Sequence, residues 1–213
     1  MRIDIWSDVV CPWCYIGKTN LDAALAQIDG AEDVDVVFRS FVLDPSAPAE
    51  PVSAVDHLAA KYGGGRAQAL EMMRQVTTVA AGVGLEYHLE DSLTGQTLDA
   101  HRILHLARQE GVQAEVASGL FAAHFTEGRS LFDHDSLTQI GHDAGLPEEQ
   151  IRAVLNSDAF TADVVADLEQ ARAYGISGVP FFVFDGRYAV AGAQPREVMA
   201  QALTRAAQDS GAV

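Results

Sequence analysis

Cys11-Pro12-Trp13-Cys14 contains both cysteines of the chain. Two thiols at this spacing can close a small disulfide, and their setting says what that disulfide is for. An apolar run that reads as a strand precedes them, and a segment that reads as a helix follows. A helix start presents unpaired backbone N–H groups and a partial positive charge, both of which favour a thiolate. The thiolate is the nucleophile of thiol–disulfide exchange. With Cys11 at the N-cap, Pro12 falls at the first helical position, where a missing N–H costs nothing. Cys14 then lies about one turn along and is more covered. This geometry makes Cys11 the attacking thiol and Cys14 the resolving thiol. The nearest cation is Lys18, four residues after Cys14, so thiolate stabilisation has to come mainly from the helix end. Asp8, three residues before Cys11, admits two readings. It is either a proton acceptor for Cys14 or a carboxylate that bonds backbone N–H groups at the strand–loop junction.

Competing readings of the cysteine pair have less in their favour. A zinc site needs two further ligands, and the chain has no second CxxC. His101 and His105 are spaced to share a helix face, but His-Arg-Ile-Leu-His lacks the glutamate of the zincin motif. No metal is therefore expected.

The elements that must position the dithiol are legible from periodicity. Residues 3–7 alternate as a short strand. Residues 12–28 read as a helix with Ile16, Leu21, Ala24, Leu25 and Ile28 as its stripe and Gly30 just past its end. Val34 to Val42 is a second strand, completing a βαβ unit with a right-handed crossover. Pro45, Pro48 and Pro51 then break the pattern, and from about 53 to 158 the strong signals are helical. Gly63-Gly64-Gly65 has neither a dinucleotide nor a P-loop setting and reads as a loop. The α/β signal returns with a helix over 160–174, its inner face carrying Phe160, Val164, Val165 and Leu168. Phe181 to Phe184 and Tyr188 to Ala191 pair through a type I′ turn at Asp185-Gly186. Pro195 opens a final helix. The expected fold is an α/β core, residues 1–45 and 160–213, split by an all-helical insertion over 50–158.

Bulk properties agree with a soluble folded chain. The 213 residues are 48% hydrophobic with a net charge of −16, and mean hydropathy is near zero. This is enough for a core and too acidic to favour nucleic acid or an anionic membrane surface as partner. Met1 to Trp6 lacks the charged and apolar regions of a secretory leader, and no apolar run approaches the ~20 residues that span a bilayer. The expected compartment is the cytoplasm, where a CxxC is more often redox-active than structural.

These blocks together resemble the DsbA-like branch of the thioredoxin superfamily, and more narrowly the FrnE-like dithiol oxidoreductases. That group is classed with 2-hydroxychromene-2-carboxylate isomerases and kappa-class glutathione transferases. The carriers are Asp8-Val9-Val10-Cys11-Pro12-Trp13-Cys14, Thr97-Leu98-Asp99-Ala100-His101-Arg102, Leu120-Phe121 to Glu127-Gly128, Gly175 to Val183, and Gly192-Ala193-Gln194-Pro195. The resemblance implies a thioredoxin-like core and a protein-disulfide oxidoreductase or isomerase acting on protein or small-molecule disulfides. It implies Val179-Pro180 as a cis-proline loop opposite the dithiol, with Pro12, Trp13, Val179 and Pro180 touching substrate. His101 reads either as lining the cleft or as a helix histidine satisfied within the insertion. Gln96 stands where relatives commonly carry Asn, so a polar contact from that position does not carry over. Glutathione enters only as a co-substrate, in the isomerase or transferase alternative. Those relatives typically place Ser at the first motif position, whereas this chain has Cys11. Oligomeric state is not readable.

Overall fold

In the computed structural model, residues 1–28 and 30–209 are described; Asp29 and residues 210–213, parts of the expected core, lie outside them. Strands β1 (Arg2–Ser7) and β2 (Asp35–Ser40) run parallel, joined by helix α1 (Pro12–Leu25). The chain returns to the sheet with β5 (Phe181–Phe184), antiparallel to β1, and β6 (Tyr188–Ala191), giving the order β2-β1-β5-β6. Between β2 and β5 lie a two-stranded ribbon and seven helices. The ribbon is β3 (Val52–Ser53) with β4 (Leu93–Thr94), and the helices are α2 (Ala54–Tyr62), α3 (Gly65–Gly82), α4 (Leu98–Glu110), α5 (Gln113–Phe125), α6 (His134–Asp143), α7 (Glu148–Leu155) and α8 (Thr161–Ala173). The last helix is α9 (Arg196–Asp209). The fold is therefore the expected α/β sheet with a large helical insertion.

Strand periodicity assigns the two faces of the sheet. Ile3, Ile5, Phe38, Phe182 and Phe184 are buried in one core with Leu21 of α1 and Met199 and Leu203 of α9. The register brings Ile5 opposite both Phe38 and Phe182. Trp6 and Val183 point the other way and pack with Ala171 of α8.

The outer edge of β2 would be an unpaired template, and side chains cover it. The Gln113 amide accepts the Phe38 N–H and donates to the Phe38 carbonyl, both at 3.0 Å. Asp167 accepts the next outward N–H, that of Ser40, at 2.9 Å. Asp167 also receives Arg39 at 3.0 Å and lies 3.1 Å from His105 Nε2. Burial pushes its carboxyl up, but the His105 and Ser40 hydrogen bonds and the Arg39 charge outweigh that and hold it below the ordinary value.

Several boundaries differ from the sequence reading, each for a local reason. Helix α1 stops at Leu25, and Gly30 opens a 3-10 turn at residues 31–33 with φ 77° instead of capping α1. Strand β2 is shorter than expected at both ends, and the ribbon interrupts an otherwise helical insertion. The inner face of α8 is Val164, Asp167 and Ala171, while Val165 is exposed. An apolar-stripe reading passes over a buried carboxylate. In the hairpin, φ is positive at Asp185 and Gly186 and Arg187 N–H donates to the Phe184 carbonyl, as in a type I′ turn. Phe184 pairs with Tyr188, so the loop holds one residue more than a two-residue hairpin. Pro195 precedes α9, its carbonyl accepting from Val198 and Met199.

Asp167 is the polar link between α8, the insertion and the sheet edge. Removing one partner of such a buried set leaves the others uncompensated, so Asp167→Asn is expected to lower the unfolding free energy by about 3 kcal/mol, read by urea denaturation. Because its carboxyl is held low, that contribution is present through the neutral range and is lost only as pH falls below the ordinary carboxyl range. The gap between wild type and variant should stay level from neutral to mildly acidic pH and close in strong acid.

Candidate active site

Cys11 is the N-cap of α1, with φ −91° and ψ 111°, and Pro12 follows at the first helical position. The thiol makes no capping bond, and the first turn carries no acidic residue. Main chain alone shapes the turn: Cys11 N–H donates to the Asp8 carbonyl and Cys14 N–H to the Cys11 carbonyl, both at 3.0 Å. The Cys11 sulfur is therefore left to other partners. It lies 3.7 Å from the Val179 carbonyl, toward which its thiol is directed.

The Val179–Pro180 peptide is cis, and the loop lies against α1 where that helix carries Gly17. A β-carbon at Gly17 would sit 2.9 Å from Pro180 Cγ and 3.1 Å from Phe182 Cζ. The glycine is what lets the loop approach the dithiol turn. Asn20, one turn farther, donates to the Gln194 carbonyl at 3.0 Å and ties α1 to the segment before α9.

The two cysteines are both free thiols and are buried alike, at 3% and 2% exposure. Overall exposure thus fails to separate them as the sequence reading expected. What separates them is direction. Cys11 lines a cleft of about 450 Å³ together with Pro12, Trp13 and Val179, while Cys14 does not border it. Burial, the hydrogen bond to Cys11 and the Cys11 charge push the Cys14 thiol well up, against hydrogen bonds from the Ser7 side chain and the Asp8 backbone. Trp13 is 40% exposed at the cleft.

The insertion builds the rest of the cleft. Leu58 and Tyr62 of α2, Met72, Met73 and Val76 of α3, and Leu89 give it apolar walls. Tyr87 donates its hydroxyl to the Pro12 carbonyl at 2.8 Å. Its ring stacks with Phe125 at 4.9 Å, and Tyr15, next to Cys14, stacks on Phe121 at 5.2 Å. The insertion is thereby clamped to the first turns of α1. At the rim of the cleft, Asp44 accepts from Ser46, Lys61 and His57. These hydrogen bonds, those from Ser46 and Lys61 foremost, hold its carboxyl well below the usual range.

His101 requires a correction. It is 0% exposed and does not border the cleft, so it cannot touch substrate as a lining residue. Its Nε2 stands 3.4 Å from Asp8 Oδ1, and Asp8 does border the cleft. Of the two readings of Asp8, the backbone-bonding one is half met, since its Oδ2 accepts the Leu43 N–H at 2.8 Å. His105 turns instead to Asp167 and Ser40. Among the described residues, no three His, Cys, Asp or Glu side chains are arranged to hold a metal ion. No helix there is long and apolar enough to cross a membrane.

Sequence reasoning missed two side chains of the site. Tyr87 sits in a non-periodic stretch after Gly84 and carried no signal. His124 did carry one, an imidazole inside the stripe Val116, Leu120, Phe121 and Phe125. It borders the cleft, packs edge-on against Phe125 at 4.7 Å, and burial lowers its pKa to about 4, partly opposed by the Asp8 charge. The folded protein thus keeps this imidazole neutral at pH values where the unfolded chain protonates it. Stability should fall as pH drops from about 6.5 toward 4. In His124→Leu, the difference in urea-unfolding free energy between pH 7 and pH 5 should be smaller than in wild type.

Comparison with known proteins places this geometry. A probable DsbA oxidoreductase from Streptomyces coelicolor is 42% identical and superimposes with a TM-score of 0.91, over 97% of this chain and 89% of that one. The uncharacterised protein YwbO of Bacillus subtilis is 24% identical over 206 residues, 96% of each chain. A 2-hydroxychromene-2-carboxylate isomerase shares the fold, with a TM-score of 0.71 at 16% identity over the whole of both chains. The family model of the DSBA-like thioredoxin domain matches residues 2–204, with the Cys11–Cys14 pair, the sheet and the insertion all inside the match, and the chain belongs to that family.

Proposed function

We propose that this protein is a thiol–disulfide oxidoreductase of the FrnE-like kind, in which Cys11 attacks and Cys14 resolves, acting on protein or small-molecule disulfides. The observation that carries the reading is the asymmetry of the pair. The Cys11 sulfur faces the cleft and the Val179 carbonyl, while Cys14 is turned inward with its thiol held protonated by burial.

In the reducing direction the Cys11 thiolate attacks one sulfur of a substrate disulfide. The substrate S–S bond breaks, and the first substrate thiolate leaves and takes a proton. The Cys14 thiol then loses its proton and attacks Cys11. The mixed disulfide breaks, the second substrate thiol is released, and the Cys11–Cys14 disulfide holds the oxidised state. Two electrons have passed from the dithiol to the substrate. The same steps run backwards for oxidation, and the potential of the pair sets the direction. A value near about −270 mV supports a reductase and one near about −120 mV an oxidase, read by equilibration in thiol–disulfide buffers.

The roles are checked by single substitutions. Cys14→Ser should accumulate a mixed disulfide through Cys11, visible as a mass adduct. Cys11→Ser should be inert in disulfide reduction, and iodoacetamide at neutral pH should label Cys11 before Cys14. Faster labelling of Cys14 would reverse the assignment. The rival reading, glutathione-dependent isomerisation or transfer, uses the thiol of glutathione in place of Cys11. It draws only on the fold shared with the isomerase, whereas the Cys at position 11 supports the redox reading. Turnover of a chromene carboxylate or an electrophile with glutathione that survived Cys11→Ser would favour that rival.

A further inference from the structure

The cleft bordered by Cys11 has an uneven balance of charge that the dithiol chemistry above does not use. Among the described residues lining it, the fixed charges are Asp8, Asp44 and Lys61, two carboxylates against one ammonium. His124 lines it too and is uncharged at neutral pH, since burial lowers its pKa to about 4. The cleft's volume of about 450 Å³ lies within the range of small-molecule pockets, about 300–1,000 Å³. Leu58, Tyr62, Met72, Met73, Val76 and Leu89 make most of its wall apolar.

The one ammonium is already taken. Asp44 stands on the segment between β2 and β3, and its Oδ2 accepts from Lys61 Nζ and His57 Nε2, both at 3.0 Å. Its Oδ1 accepts from Ser46, the hydroxyl at 2.6 Å and the amide at 3.1 Å. Lys61 and His57 lie one turn apart on α2, so a single carboxylate occupies both basic side chains of that wall. The Ser46 and Lys61 bonds hold the Asp44 carboxyl well below the usual range, so the pairing persists into mildly acidic solution.

At the dithiol end the charge is negative and only half compensated. Asp8 is 1% exposed, and its Oδ2 accepts the Leu43 N–H at 2.8 Å while Oδ1 has no hydrogen-bond partner. A Cys11 thiolate adds a second negative charge at that end. A disulfide that carries carboxylates therefore meets like charge near the sulfur and no uncommitted cation at the rim. Salt screens partly buried charges less than exposed ones, so the mismatch weighs more inside the cleft.

We propose that the cleft selects small apolar disulfides without acidic groups, and that Asp44 sets this specificity by occupying Lys61 and His57. An anionic disulfide then finds no partner at the rim. Glutathione disulfide, rich in carboxylates, belongs to the disfavoured class. The proposal names a substrate class for the dithiol reading and rests on it, and the test separates the two.

The probes are dipropyl disulfide and 3,3′-dithiodipropionate, which has the same chain length but ends in carboxylates. Each is mixed with the reduced protein. Two electrons pass from the dithiol to the disulfide, the Cys11–Cys14 bond closes and two small thiols leave. Alkylation and mass then count the protein thiols that remain. Each rate is divided by that of 2-mercaptoethanol with the same disulfide at the same pH and salt, which removes intrinsic reactivity. In wild type the corrected ratio should favour dipropyl disulfide by at least about tenfold, a like-charge cost at its low end. Added salt should shrink that ratio. Asp44→Asn releases Lys61 and His57 and should lower the ratio by about threefold, the size of a partly exposed charge pair. Lys61→Gln leaves the Asp44 charge unopposed and should raise it.

A wild-type ratio near one, or a preference for the anion, would overturn the proposal. So would either variant leaving the ratio unmoved, or both moving it the same way, which marks a structural role at the rim. Should Asp44→Asn not fold, Lys61→Gln decides. A neutral peptide disulfide that outran dipropyl disulfide after the same correction would make the occupant a peptide and overturn the small-molecule class. If neither probe closed the Cys11–Cys14 bond, the dithiol reading itself would fail.

Discussion

The contact between the Cys11 sulfur and the Val179 carbonyl joins residues 168 apart in sequence, and the architecture serves to hold it. Each side of the contact is fixed by a different part of the sheet. On one side, β1 delivers the chain into α1 so that Cys11 falls at the N-cap, where Pro12 needs no donor and the sulfur is not spent on capping. On the other, β5 must begin immediately after Pro180, because Phe181 pairs with Trp6 at the end of β1. The two loops meet at the same end of the sheet because their strands are neighbours there. Gly17 completes the arrangement, since any side chain there would push Pro180 and Phe182 off α1.

The insertion does more than cover this end. Its aromatic residues grip the residue after the dithiol, and Tyr87 bonds a carbonyl within the motif itself. Its walls are mostly apolar, so on the proposed function a disulfide entering it would displace water and leave the exchange in a low-dielectric setting. Charge–dipole interactions with the helix end strengthen there, and so does the cost of any proton left without a partner.

Much of this was legible in the residues. The cysteine spacing, the preceding strand and Pro12 together gave the dithiol and its helix start, while Val179-Pro180 as its opposite wall came from the family resemblance alone. The hairpin strands were readable to the residue because Phe181–Phe184 and Tyr188–Ala191 flank an Asp-Gly turn. What escaped has a common cause. Period-based reading follows apolar residues, so it placed Val165 inward on α8 and missed Asp167, and it passed over His124 among the apolar residues of α5. Pairings that cross the insertion, such as Tyr87 with Pro12 or His101 with Asp8, depend on how the insertion docks on α1 and on the loop before it. No local pattern encodes that docking.

Asp8 and Asp167 show how structure separates two buried carboxylates that sequence treats alike. Asp167 has both oxygens engaged, one by Arg39 and the other by the Ser40 N–H with His105 beside it. Such a set rigidifies the join between α8 and the edge strand and has no capacity left for a proton or a ligand. Asp8 has one oxygen fixed by Leu43 and the other free, against a histidine with no hydrogen-bond partner on either ring nitrogen. Folding stability would favour satisfying those atoms, or replacing them with apolar groups of the same shape. Keeping a half-satisfied pair costs the fold something, next to a residue whose main chain bonds the dithiol turn. The difference between the two sites is thus one of spare hydrogen-bonding capacity, and that capacity lies beside the dithiol.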